Sequence, residues 1–171
     1  MNDAKLRKRL RKIIERCNTK DETSVYYGCT IDRNFRNFEV FKNWYYKQVG
    51  CDQESWHIDK DILLKGNKVY SEETCCLVPR EVNLFFTKAE RIRGEYPIGV
   101  YYNKTSGTFK ASISIDGKNK SIGSFDNEWS AFIAYRNAKE ERAVELAKRW
   151  EGKIGHRVYE SLMSYKVLLT D

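Results

Sequence analysis

The spacing of apolar residues changes period along the chain, and each change marks an expected element. In residues 1–17, Leu6, Leu10, Ile13 and Ile14 recur on one helical face, which predicts an amphipathic helix. Lys5, Arg7, Lys8, Arg9, Arg11, Lys12 and Arg16 cover its remainder, opposed by Asp3 and Glu15. In residues 34–48, Phe35, Phe38, Val40 or Phe41, and Trp44 or Tyr45 repeat every three or four positions. That spacing predicts a second helix whose aromatics belong to the core. From Ser55 the pattern shortens. Trp56, Ile58 and Ile62 flank the charged run His57-Ile58-Asp59-Lys60-Asp61, and Gly66 marks a turn. An apolar strand is expected at Cys75–Val78, and Pro79 suits the opening of a helix over Arg80–Glu90. Strand, loop, strand and helix in that order make a ββα unit.

Arg93-Gly94-Glu95-Tyr96-Pro97 reads as a boundary. Beyond it, three strands are expected at 99–103, 108–115 and 120–125. The middle one alternates Phe109, Ala111, Ile113 and Ile115 with Lys110, Ser112 and Ser114. Ser106-Gly107 and Asp116-Gly117 supply the turns, the second a strong hairpin signal. A long helix capped by Asp126 or Asn127 follows to about Trp150. Its apolar side draws on Trp129, Phe132, Ile133, Tyr135 or Arg136, and later Val144, Leu146 and Ala147. Residues 157–169 fit either a short helix or a strand, and their apolar residues suit docking on a module or on a second chain. The expected fold class is α+β: a ββα module with flanking helices over 1–92, then a three-stranded antiparallel sheet packed on one long helix over 97–171.

Composition narrows the partners. The 171 residues are 41% hydrophobic and 32% charged, and no apolar run approaches the roughly 20 residues of a membrane helix. No signal peptide is evident, so a cytoplasmic protein without a membrane partner is expected. Five cysteines without a C-x-x-C pair, and only two histidines, argue against a disulfide framework and against zinc. The net charge of +7 points to a polyanionic partner. Its distribution is uneven. Residues 98–123 hold Lys104, Lys110, Lys118 and Lys120 against Asp116 alone, a net of +3, whereas over 126–150 five cations meet five acids. The excess charge therefore lies on the strands. P-loop, dinucleotide-binding glycine and G-x-S-x-G patterns are absent.

Gly99-Val100, Gly107-x-Phe109-x-Ala111, Ile122-Gly123-x-Phe125 and Ala131-x-x-Ala134-Tyr135 together resemble the plant Apetala/ethylene-response-factor DNA-binding domain, which also accompanies phage homing endonucleases. The resemblance covers residues 98–150. It implies a sheet laid in the major groove of double-stranded DNA, read by Tyr101, Asn103, Lys110, Ser112, Ser114, Asn119 and Ser121. Lys104 and Lys120 on the sheet, with Arg9 and Arg11 on the first helix, are expected to add phosphate contacts. The plant domains use arginines and tryptophans at such positions. Tyr, Ser, Asn and Lys here leave fewer bidentate contacts to guanine.

The stretch WHIDKDILLKGNKVYSEETCCLVPREVN, with the preceding RCNTKDETSVYYG, resembles the HNH nuclease motif of phage proteins. The resemblance implies one Mg²⁺ (or Mn²⁺) held by Asp59 and Asn83, with Asn67 bracing the loop. Lys60 stands where that family places its general-base histidine, and a protonated lysine accepts no proton. His57, two residues before Asp59 and on the same strand face, is either the replacement base or a partly exposed strand histidine. Asp61 is either a third metal oxygen or the ion-pair partner of Lys60. The expected function is metal-dependent hydrolysis of duplex DNA by a phage-encoded endonuclease acting in a bacterial host. The alternatives are a DNA-binding regulatory protein with a silent nuclease module, or a protein-binding module.

Overall fold

The computed structural model describes residues 1–87, 94–115, 117–169 and 171. It is a mixed α+β protein. In chain order the elements are α1 (Asp3–Cys17), β1 (Thr30–Ile31), α2 (Phe38–Tyr46), β2 (His57–Asp59), β3 (Val69–Tyr70), β4 (Cys76–Val78), α3 (Arg80–Phe86), β5 (Val100–Asn103), β6 (Thr108–Ile115), β7 (Lys118–Phe125), α4 (Glu128–Trp150) and α5 (His156–Met163). No helix among the described residues is long and apolar enough to cross a membrane. The chain divides into two compact units, residues 1–80 with 152–161, and residues 81–151 with 162–171. The division falls between Arg80 and Glu81, within the ββα stretch rather than at 91–97. Residues 88–90 of the expected helix, Arg93 of the expected boundary and Asp116 of the hairpin turn lie outside the described residues.

Unit 1 is held by helices and very short strands. Asn2 caps α1 through its side-chain oxygen, which accepts from Lys5 N, and Leu6, Leu10 and Ile13 are buried. The second helix begins at Phe38 rather than 34. Asp32 folds the preceding residues into a turn by accepting from Asn34 N at 2.9 Å and Phe35 N at 3.2 Å. Asn37 then caps α2. Phe35, Phe41 and Trp44 pack with ring centroids 5.1–5.8 Å apart, so these aromatics are core. Gly50 has φ +83°, and a Cβ there would stand 2.2 Å from the Trp56 ring, which admits only glycine. β1 pairs in parallel with β3, and β2 pairs antiparallel with β4, placing His57 opposite Val78 and Asp59 opposite Cys76. Residues 156–161 of α5 return to this unit, where Arg157 donates to the Glu73 carbonyl at 2.8 Å.

Unit 2 is a three-stranded antiparallel sheet, order β5-β6-β7, backed by α4. Ala111, Ile113, Ala131, Phe132, Tyr135 and Val167 form its buried core. Gly99, with φ +79°, lets the backbone approach Tyr135, whose ring would lie 2.0 Å from an added Cβ. β7 starts at Lys118 and carries a bulge. Ala111 faces Gly123 while Ser112 faces Ser121, so Ile122 has no opposite number and packs against the core instead. Trp129, expected on the apolar side of α4, is instead 53% exposed. Residues 156–163 settle as a helix, and Tyr165 and Val167 dock on the sheet–helix core.

Candidate carboxylate site and nucleic-acid interface

The first candidate site lies at the end of β2 in unit 1. Asp59 Oδ1 accepts from the backbone N–H of Asp61 at 2.8 Å and of Ile62 at 3.0 Å. The aspartate thus ends the strand by turning the chain, which fixes its carboxyl in place. Burial raises the Asp59 pKa above the carboxylate range, and the hydrogen bond and charge of Asp61 add to it. Asp61 is desolvated too, yet its hydrogen bond with Asp59 and the Lys60 ammonium hold it below the ordinary value. The pair therefore holds its last proton more tightly than two isolated carboxyls would, and Asp59 is the one that carries it. Asn67 ties the following loop together, donating to Lys60 O at 2.6 Å and Val69 O at 2.7 Å and accepting from Val69 N at 3.2 Å.

Lys60 is not a surface residue. It is buried, its ammonium 3.2 Å from Asp61 Oδ2 and 5.7 Å from the Tyr70 ring centre. An ammonium that donates to a carboxylate and rests on a ring has no lone pair to offer a water. The pair with Asp61 is partly buried, at its lysine end more than at its carboxylate end. His57 is exposed and lies on the same face of β2 as Asp59. Partial desolvation, with the charges of Arg9, Arg80 and Arg16, holds its pKa below the usual histidine range. At neutral pH the ring is uncharged and can accept a proton.

Asn83 lies half-buried on α3, and its carbonyl accepts from Thr87 N at 3.1 Å and Thr87 Oγ1 at 2.9 Å. It falls in unit 2, across the division from Asp59. Among the described residues no group of three or more His, Cys, Asp and Glu is arranged to hold a metal. The Asp59–Asp61 pair nonetheless fits a magnesium-type ion. Such ions are held by one or two carboxylates with water and phosphate completing the shell. Lys60 competes for Asp61 and weakens that fit without removing Asp59.

The second candidate is the outer face of the unit 2 sheet. Directly opposed residues share a face. Tyr101 faces Lys110, Asn103 faces Thr108, Ser112 faces Ser121, and Ser114 faces Asn119. The register therefore gathers all seven residues expected to read DNA onto the side away from the core. Lys110 also donates to Ser124 at 2.5 Å. Lys104 is exposed in the β5–β6 turn. The bulge at Ile122 puts Lys120 opposite buried Ile113, so Lys120 belongs to the margin of the helix-side face. That is a correction to its grouping with Asn119 and Ser121.

Arg9 is corrected as well. Its guanidinium donates to Trp56 O at 2.8 Å and to Glu54 O, and lies 5.7 Å from the Tyr45 ring centre, so its donors serve the fold of unit 1. Arg11 is 69% exposed, with Glu15 at 3.6 Å.

Sequence reasoning missed Lys139 and Arg142 on α4. Arg142 is buried, bound to Glu81 at 2.8 Å and Glu145 at 3.1 Å. Lys139 donates to Phe85 O at 2.7 Å and sits 3.9 Å from the Phe85 ring centre. Burial, and then Arg142, lowers its pKa to about 8. The signal was present: both continue the apolar stripe Ala131, Tyr135, Leu146 at helical spacing. No protein-family model, no curated protein and no solved structure matches the chain.

Proposed function

We propose that this protein binds duplex DNA through the outer face of the β5-β6-β7 sheet and nicks or cuts it with a metal-dependent site at the end of β2, in the manner of HNH endonucleases. The observation that carries the binding half is the register of the sheet. It assembles Tyr101, Asn103, Lys110, Ser112, Ser114, Asn119 and Ser121 on one face without an acidic side chain among them. Phosphate attraction supplies affinity, and the hydroxyls and amides suit groove edges.

The cutting half is supported by a neutral His57 beside a fixed carboxylate. Asp59 and Asp61 would hold Mg²⁺ or Mn²⁺. When bound, that ion supplies positive charge against the negative charge building on the cleaved phosphate. His57 accepts the proton of the attacking water, and Asn67 keeps the loop after Asp59 in register. Lys60 keeps Asp61 charged and takes no proton.

The rival reading is a DNA-binding protein whose nuclease module is silent, and the buried Lys60 ammonium beside Asp61 favours it. Nicking of supercoiled plasmid with Mg²⁺, Mn²⁺ or chelator separates the two. Metal-dependent nicking that disappears in Asp59→Ala, with duplex affinity retained, is the expected result. Duplex binding without nicking under any metal hands the case to the silent reading.

A further inference from the structure

Unit 2 carries a half-open cavity of about 740 Å³, well within the roughly 300–1,000 Å³ of small-ligand sites. One wall is aromatic. Phe85, Phe86 and Tyr165 pack edge to face with centroids 4.9–5.6 Å apart, and Phe86 and Tyr165 are only half-buried. Ser112, Ser114 and Asn119 also line it. Lys139 also lines the cavity. Its ammonium meets a carbonyl and a ring, and no described carboxylate forms an ion pair with it. The neighbouring cation, Arg142, is already bound to Glu81 and Glu145. An aromatic wall, polar residues on the same lining and a cation without an ion-pair partner among the described residues make up the complement of one ligand class.

We propose that this cavity takes a single nucleotide, with its base against the Phe86–Tyr165 wall, its polar edge toward Ser112, Ser114 and Asn119, and its phosphate on Lys139. Bases stack on aromatic side chains whatever their sequence, and the hydroxyl and amide groups match a base edge. The nucleotide comes either free from solution or extruded from a duplex on the outer sheet face. Ser112, Ser114, Asn119 and Tyr101 belong to both surfaces. The extruded source rests on the DNA-binding reading proposed above, whereas the free source does not.

Calorimetric titration of the whole protein with deoxynucleoside 5′-monophosphates, nucleosides and inorganic phosphate tests the pocket. Saturable mononucleotide binding is expected, at least tenfold tighter than phosphate or nucleoside alone. Lys139→Met should weaken it at least tenfold, and Leu84→Trp, which fills the cavity from an accessible α3 position (37% exposed), should block it. Circular dichroism confirms that each variant is folded, and either variant alone decides the matter if the other is not. In a parallel arm, a duplex with one mismatched pair yields its base more readily than a matched one. At least fivefold preference for the mismatched duplex, erased by Lys139→Met, identifies the extruded source. Equal duplex affinities with mononucleotide binding retained identify a free nucleotide. Mononucleotide binding without any duplex binding overturns the sheet-face reading and leaves the pocket standing. Mononucleotides that bind no better than phosphate, or equally well to both variants, overturn the pocket.

Discussion

On α1 in unit 1, Arg7 stands 3.7 Å from the centre of the Phe38 ring, Arg16 stands 4.7 Å from that of Tyr26, and Arg9 grips the carbonyls of Glu54 and Trp56. On the sheet of unit 2, Lys104, Lys118 and Lys120 are exposed and form no ion pair with a described residue, and Lys110 donates to a serine hydroxyl. Both regions are basic in sequence, but on α1 Arg7, Arg9 and Arg16 are engaged by rings and carbonyls, and Lys8, Arg11 and Lys12 stay exposed. Arginine's planar fork suits carbonyls and ring faces, so a helix of arginines over aromatics becomes mortar for its own domain. The exposed lysines of the sheet form no ion pair with a described residue and remain attractive to phosphate. The lesson is that charge counts locate a polyanion site only after internal partners have been subtracted.

The most drastic test of this contrast disables chemistry while sparing the grip. Asp59→Ala should drop plasmid nicking to the level seen with chelator while leaving duplex affinity within about twofold in a shift assay. His57→Gln should lower nicking similarly, because it removes the proton acceptor and leaves the carboxylates. Nicking that survives Asp59→Ala with the same metal dependence would place the reaction elsewhere. Next in size, Arg9→Ala strips two charge-assisted hydrogen bonds of about 1.5–3 kcal/mol each. Urea unfolding should show unit 1 destabilised by a few kcal/mol, with the salt dependence of DNA binding unchanged. An altered salt slope with unaltered stability would show that Arg9 faces phosphate after all.

Smaller effects probe the other side. Lys104→Ala with Lys110→Ala should make the log–log salt slope shallower by about 1.8, at about 0.9 for each duplex phosphate no longer neutralised. Thermal stability should hardly move. The finest test concerns Lys139. Its ordinary lysine value lies at 10.5 and its folded value near 8, set by burial and Arg142, with Glu81 and Tyr165 lining the same cavity. Between about pH 8 and 10.5 the unfolded chain holds the extra proton, so this group's contribution to stability rises with pH through that window. Measured as the difference between wild type and Lys139→Met, that rise should appear as wild type gaining on the variant above pH 8. Tyr165, raised by burial, works in the opposite sense above pH 10 and cancels in the difference.

Unit 2 was legible because its elements are long enough to show a period. Eight alternating residues in β6 and 23 residues in α4 leave little choice of structure. The bulge at Ile122 escaped because one unpaired residue leaves no mark on alternation, and Lys120 was misplaced with it. Unit 1 resisted for a different reason. β1, β2, β3 and β4 are two or three residues long, below any period, and their positions are set by side chains that fold the backbone locally. Asp32, Asp59 and Asn67 are those side chains. The candidate residues at 57–61 could be read as a motif, while the burial of Lys60 followed from tertiary packing on Tyr70. Lys139 and Arg142 were visible as cations on an apolar stripe, a pattern easily passed over among five acids and five bases.

The path of the chain has a consequence for biosynthesis. Residues 152–161 complete unit 1 through α5 and the Arg157 bond to Glu73, yet they follow the whole of 81–151 in synthesis. Roughly 70 residues at about 5–20 residues per second separate the two parts by about 4–14 s. During that interval the sheet and long helix of unit 2 are made while unit 1 still lacks its last helix. Unit 1 therefore cannot close until the sheet and long helix of unit 2 have been made, and residues 162–171 complete unit 2 later still.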